Sequence, residues 1–218
     1  MNCDKKPSEE RRWMQYYPEM MLRMIQKPDC TVWEYLERHC PGMDVAAIHY
    51  YGEDITWKTV FEESEKCAKS LKAMGFGEGD QIPVFFRLVP NFIYLLLAAE
   101  KIGASLLCRD NTLLENVEAV SKADAIFAHD FLSKKEMKAY CENAGVKKII
   151  LLDPMYYGDP KTLPDYIKAS LDEYYPRVTA AGDCIMNWDK FLSLGEYYVG
   201  KVEVEKDLSR PLFRAYTS

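Results

Sequence analysis

Between Ile55 and Ala104 the apolar positions fall into two helical stripes separated by a short apolar run. Val60, Phe61, Ser64, Cys67, Ala68 and Leu71 recur at three- and four-residue spacing and predict an amphipathic helix over Trp57–Met74. Thr56 stands where an N-cap belongs, and Gly75 where a left-handed residue ends a helix. Phe92, Leu95, Leu96, Ala99 and Ile102 form a second stripe, closed by Gly103. The run Ile82–Phe86 between them reads as a strand. Two helices flanking an apolar strand are the middle of a βαβ array.

The same alternation continues toward the C-terminus. Ser105–Cys108, Ala125–Ala128 and Val146–Leu152 read as strands, the last the most strand-like run in the chain. Thr112-x-x-Glu115 and Ser133-x-x-Glu136 are capping boxes that would open the intervening helices. Strand–helix alternation implies right-handed crossovers and a mainly parallel sheet flanked by helices, an α/β fold. Pro83 lacks a ladder donor, so its strand is expected to be short, bulged or near an edge. Upstream, Val45–Tyr51 and Ile55 suggest a hairpin around a turn at Gly52–Asp54, and Thr31–His39 a Thr-capped helix with Val32, Tyr35 and Leu36 inward.

Two stretches break the pattern. Residues 1–30 carry Trp13, Tyr16, Tyr17 and several methionines, interrupted by Pro18, and read as a helical strap whose aromatics pack on the main body. Residues 153–182 hold four prolines and five tyrosines around a possible helix at Leu163–Tyr174, and read as an excursion rather than a second domain. Trp188–Leu192 looks like a short helix. Pro211–Tyr216 would be a last strand, after the charged, loop-like Val202–Asp207.

Composition narrows the partners. The net charge is −6, with both signs interspersed, which disfavours a nucleic-acid surface or polybasic membrane docking. The longest apolar run, Phe92–Ala99, is far too short to span a bilayer. The seven cysteines show no C-x-x-C spacing, and the first residues have no apolar leader segment. The expectation is a cytoplasmic protein with seven free thiols, no disulfide and no metal. Gly75-Phe-Gly-Glu-Gly-Asp80 superficially suggests a dinucleotide fingerprint, but it follows a helix and precedes a strand, the reverse of what that chemistry needs. The three histidines, His39, His49 and His129, share no ligand spacing. His129 follows a strand end, where open α/β sheets bind ligands, and reads more simply as a polar loop residue.

The ordered set Thr56-Trp57, helix, Gly77-x-Gly79-Asp80, strand, Pro90-Asn91, helix, Lys101-Ile-Gly-Ala104 resembles the N-terminal part of AMP-forming acyl-CoA synthetases, a superfamily that also holds luciferases and peptide-synthetase adenylation domains. Tyr216-Thr217-Ser218 is similar to the opening of that family's phosphate loop, Tyr-Thr-Ser-Gly-Thr-Thr-Gly-x-Pro-Lys. Departures are Trp57-Lys-Thr59-Val60, which lacks the usual capping-box Glu, and Ser105–Asp110, which lacks the usual proline. The resemblance implies an incomplete N-terminal α/β domain over 31–218, part of a ligase that activates a carboxylic acid with ATP and Mg²⁺ and passes the acyl group to coenzyme A. It places Thr217 and Ser218 as cofactor-binding residues, with no catalytic or metal residue in these 218 positions. The acyl pocket, metal-binding Glu and mobile C-terminal domain would lie beyond Ser218, making the rest of its own chain the structural partner and leaving the fragment inactive by itself. A stand-alone flavodoxin-like binding module is the alternative, which explains the βαβ order but not the Tyr-Thr-Ser ending.

Overall fold

The computed structural model describes residues 10–24, 28–85, 88–109, 123–129, 142, 145–174, 183–204 and 206–215. The chain divides into two compact units, Met1–Cys30 and Thr31–Ser218. The first holds a 3₁₀ helix at Arg12–Tyr16, which buries no residue, and helix α1, Glu19–Met24. Pro18 lies between the two.

The second unit opens with α2, Val32–His39. Thr31 accepts from the Glu34 amide while the Glu34 carboxylate accepts from the Thr31 amide, a complete capping box. Its inward residues are Trp33 and Leu36, whereas Val32 and Tyr35 are exposed. The inward face differs from the expected one by a partial turn, because Trp33 packs on the core in place of Val32 and Tyr35.

β1, Ala46–Tyr50, and β2, Glu53–Thr56, form an antiparallel hairpin. Tyr51 and Gly52 both have positive φ, 43° and 86°, so the turn is a two-residue one of the primed kind. It sits earlier and tighter than the expected Gly52–Asp54 turn, since Glu53 and Asp54 already pair with Tyr50 and His49.

α3, Trp57–Ala73, and α4, Pro90–Ile102, lie where the two stripes placed them. Thr56 accepts from the Thr59 amide, and the two hydroxyls lie 3.1 Å apart, so Thr59 occupies the place of the missing capping-box Glu. Gly103 closes α4 in the left-handed region at φ 75°. Cys67, Ala68 and Leu71 of α3 and Leu95, Ala98, Ala99 and Ile102 of α4 are wholly buried. Each such Leu or Ile contributes about 1.5–3 kcal/mol relative to exposure.

The main sheet has six strands in the order β7-β6-β5-β3-β4-β8, all parallel. They are β3, Gln81–Phe85; β4, Ser105–Arg109; β5, Ile126–His129; β6, Ile149–Leu152; β7, Ile185–Met186; and β8, Phe213–Ala215. Period-2 alternation sorts their side chains onto two faces. Ile82, Val84, Leu106, Phe127, Ile150 and Leu152 join the core under α3, α4 and α6, Trp188–Ser193. Phe85, Ile126, Ala128, Ile149 and Leu151 form a second buried layer on the other face. The two capping-box helices expected at Thr112 and Ser133 lie outside the described residues.

β3 is central, which corrects the edge or bulge expected from Pro83. It is short, but pairs with β4 in one uninterrupted register from Gln81 to Phe85, Pro83 opposite Leu107. One missing donor costs about 1 kcal/mol, less than burying Ile82, Val84 and Phe85 returns.

The stretch after β6 folds over the hairpin. Asp159 N–H and Thr162 Oγ1 donate to the Tyr51 carbonyl at 3.0 and 2.9 Å, and the Tyr50 hydroxyl donates to the Pro154 carbonyl at 2.7 Å. α5, Asp165–Tyr174, follows, and the chain re-enters the same sheet at β7. Cys184, just before β7, is disulfide-bonded, which corrects the expectation of seven free thiols; its partner lies outside the described residues. Strand–helix alternation brings sequence-distant residues together at a sheet's end, and cysteine spacing along the chain carries no trace of that. Cys30, Cys40, Cys67 and Cys108 are free.

Candidate functional site at the carboxyl edge of the sheet

Because every strand of the main sheet is parallel, the carboxyl ends of β3, β4, β5, β6 and β8 gather along one edge. The chain moves from β3 to β4 on one side and from β5 to β6 and β7 on the other, so the strand order reverses between β3 and β5. Ligands of open α/β sheets bind outside such a reversal. His129 ends β5 there, opposite Leu152 of β6. α4 starts just after β3, with Pro90 at its first turn and Asn91 fully buried. Among the described residues no group pairs with either polar atom of the Asn91 carboxamide.

β8 is the strand that matters most. Leu106, Leu107 and Cys108 of β4 face Phe213, Arg214 and Ala215. Parallel pairing makes β8 leave the sheet at the carboxyl edge, and Tyr216-Thr217-Ser218 is the sequence that follows. Thr217 and Ser218 themselves lie outside the described residues. Cys108 beneath this exit is buried, and burial pushes its thiol above the ordinary value, so it stays protonated and unreactive.

The approach to β8 is held residue by residue. Val204 N–H donates to the Lys101 carbonyl at 3.2 Å, and Leu106 N–H to the Leu212 carbonyl at 3.0 Å. Ser105 Oγ donates to the Pro211 carbonyl, and Arg210 pairs with Glu78. Lys101, nearly buried, pairs with Glu65 and with Glu203 at 3.0 Å, its ammonium 3.9 Å from the Trp33 ring centre. Glu100 caps α2, accepting from the Val32 and Trp33 amides at 2.8 and 2.7 Å. Ser209 donates through its hydroxyl and amide to Asp207, holding that carboxyl below its usual range; Lys206, then the Thr31 amide, do the same for Glu34. The string Glu100–Ala104 is thus a packing hub, a role its sequence did not reveal.

A second polar cluster ties α3 to α6 and the 153–159 turn. Tyr157 donates to Glu63 at 2.7 Å and accepts from the Trp188 indole at 3.3 Å. Burial and then the Glu63 charge push its phenol well above the usual range, so it stays protonated. Tyr94 stacks edge-on to Tyr157 with centroids 5.2 Å apart, but its hydroxyl has no partner among the described residues. The tyrosine-rich composition of the 153–182 stretch carries no sign of this pairing.

Among the described residues no group of three or more His, Cys, Asp or Glu could hold a metal ion. No described helix is long and apolar enough to cross a membrane. No chemical step is assigned to the described residues.

Comparison with known proteins gives this edge its context. Residues 36–218 match the family model of the AMP-binding enzymes, and the chain belongs to that family. It is 33% identical over 76 residues to acetyl-coenzyme A synthetase of Methylocella silvestris, covering 32% of this chain and 12% of that protein. Over 127 residues it is 25% identical to surfactin synthase subunit 1 of Bacillus subtilis, 55% of this chain and 3% of that protein. The crystal structure of coronafacic acid ligase from Pectobacterium brasiliense superposes with a TM-score of 0.55 at 14% identity, covering 79% of this chain and 30% of that one. That likeness shows the α/β fold. The chain spans only a small part of the length of the relatives it matches.

Proposed function

We propose that these residues form part of the N-terminal α/β domain of a cytoplasmic acid–thiol ligase. In this reading the enzyme activates a carboxylic acid as its acyl-adenylate with Mg²⁺ and ATP, then transfers the acyl group to coenzyme A. The supporting observation is β8: a strand of an AMP-binding family fold that leaves the carboxyl edge of a parallel sheet directly into Tyr216-Thr217-Ser218. A phosphate loop needs that placement, because its backbone donors must converge on a leaving pyrophosphate. Thr217 and Ser218 would open the loop.

The glycines and lysine that complete such a loop are not among the 218 residues, so by themselves these residues bind Mg-ATP weakly. Two measurements test the reading. A polypeptide carrying these residues followed by a complete loop and the remaining ligase domains is expected to release pyrophosphate only when acid and Mg-ATP are both present, and to form a thioester on adding coenzyme A. The 218-residue chain is expected to give no acid-dependent release and no micromolar ATP binding by calorimetry. Acid-independent release by the longer polypeptide, or tight ATP binding by the short one, contradicts the proposal.

A further inference from the structure

We propose that Gly103 and Arg210 are positioning residues for phosphate binding, acting as a tether that fixes where β8 delivers the chain. This rests on the ligase reading for the ligand, and on geometry alone for the tether. The key contact is between α4's last turn and the segment before β8. A methyl group built on Gly103 would meet Val204 Cγ2 at 2.8 Å and Arg210 Nη1 at 3.1 Å. The backbone there is also left-handed, φ 75°, which side chains other than glycine rarely adopt. Gly103 is therefore small so that the 204–210 segment can lie against it.

Three further links hold the segment in place. At one end Val204 N–H bonds to the Lys101 carbonyl, and the Lys101 ammonium to Glu203. In the middle, the Arg210 guanidinium, largely covered, pairs with Glu78 beside the Gly79–Gly103 backbone bond. At the other end Pro211 and Leu212 carbonyls accept from Ser105 and Leu106, and β8 begins at once. β8 itself has three residues, all exposed, and among the described residues is paired on one side only. So short a strand does not hold its own register; the upstream links set it. A displacement at Arg210 passes within five residues to Ala215, the last described residue before Tyr216-Thr217-Ser218. Phosphate binding needs several donors at fixed positions, so a small displacement there weakens ATP more than it weakens the acid.

The experiment uses Arg210→Ala, with Glu78→Gln as the partner-side variant and Arg210→Lys as the conservative one. Both altered side chains lie outside the core, so folding is retained even if Gly103→Ala fails to fold. In the 218-residue chain, hydrogen exchange at the Leu106 amide is expected to speed up about tenfold or more in Arg210→Ala, while the Ile126 amide, bonded to the Lys148 carbonyl in the same sheet, is unchanged. In the longer ligase, KM for Mg-ATP is expected to rise about fivefold or more with KM for the acid unchanged, and Arg210→Lys to recover part of it. A merely structural role would instead lower kcat with both KM values unchanged. That result, or unaltered Leu106 exchange, overturns the proposal. If the longer polypeptide releases no pyrophosphate with any acid while Arg210→Ala still loosens Leu106, the ligase reading and the phosphate role fall together and the mechanical tether stands.

Discussion

Removing a single oxygen from Tyr157 and from Tyr94 should have opposite consequences. The two phenols are neighbours, both largely buried, and differ in what their hydroxyls meet. Tyr157 donates to Glu63 and accepts from the Trp188 indole, whereas the Tyr94 hydroxyl meets no partner among the described residues. Tyr157→Phe loses a hydrogen bond to a charged group and leaves the indole N–H of a residue only 1% exposed unpaired. Glu63 keeps Lys66 at 2.6 Å, so the carboxylate is not stranded. The loss is about 2–4 kcal/mol. For a unit of this size that lowers Tm by about 5–15 °C. Tyr94→Phe removes a group that folding strips of water without replacement, so stability is unchanged or rises by up to about 1 kcal/mol. Urea denaturation of both variants, followed by tryptophan fluorescence and circular dichroism, reads the difference, with equal m-values confirming comparable unfolded states. Equal destabilisation of the two variants would refute the argument that partnering, not burial, decides the hydroxyl's contribution.

Denaturing titration of unreduced protein should find five free thiols, because Cys184 is bonded to another cysteine of the chain; a count of seven would remove that bond. Gly52→Ala should destabilise by about 2 kcal/mol in urea melts, since Gly52 has φ 86° and its Cβ would collide with Thr162. The Glu34 and Asp207 carboxyls are held below their ordinary values of 4.5 and 3.8, so their stabilisation is fully present above those values. It is lost as pH falls through the lower folded-state values, and exchange at the Val204 amide should accelerate over that acid window, more than at Ile126. Lys101→Met should cost about 1–2 kcal/mol in urea melts, because it removes the cation shared by Glu65 and Glu203 and its contact with Trp33, while both carboxylates remain open to water.

What could be read from sequence was local, and what could not was long-range. α3 and α4 were legible to within two residues because Thr56, Gly75 and Gly103 punctuate them and their stripes run for several turns. The α/β class and the parallel sheet followed from alternation alone. The position of β3 did not, since Pro83 argues for an edge and only the burial of its neighbours overrides it. The Tyr51–Gly52 turn was misplaced because a tyrosine at φ 43° is not a usual turn residue. The site was legible only through resemblance, at Thr217 and Ser218. Arg210–Glu78 and Tyr157–Glu63 join residues 132 and 94 positions apart, and no spacing rule reaches so far.

The sheet order has a consequence for synthesis. β4 is complete at Arg109, but the strand that covers its free side, β8, begins at Phe213. At about 5–20 residues per second a ribosome takes roughly 5–20 s to make the intervening hundred or so residues. For that interval the nascent chain carries β3 and β4 with one ladder edge unpaired, while β5, β6 and β7 add to the opposite side. Leu106 and Cys108, inward-facing on β4, are the residues at stake. Slower decoding between codons 110 and 212 lengthens that exposure, and should raise the aggregated fraction of newly made protein without altering the stability of the folded molecule.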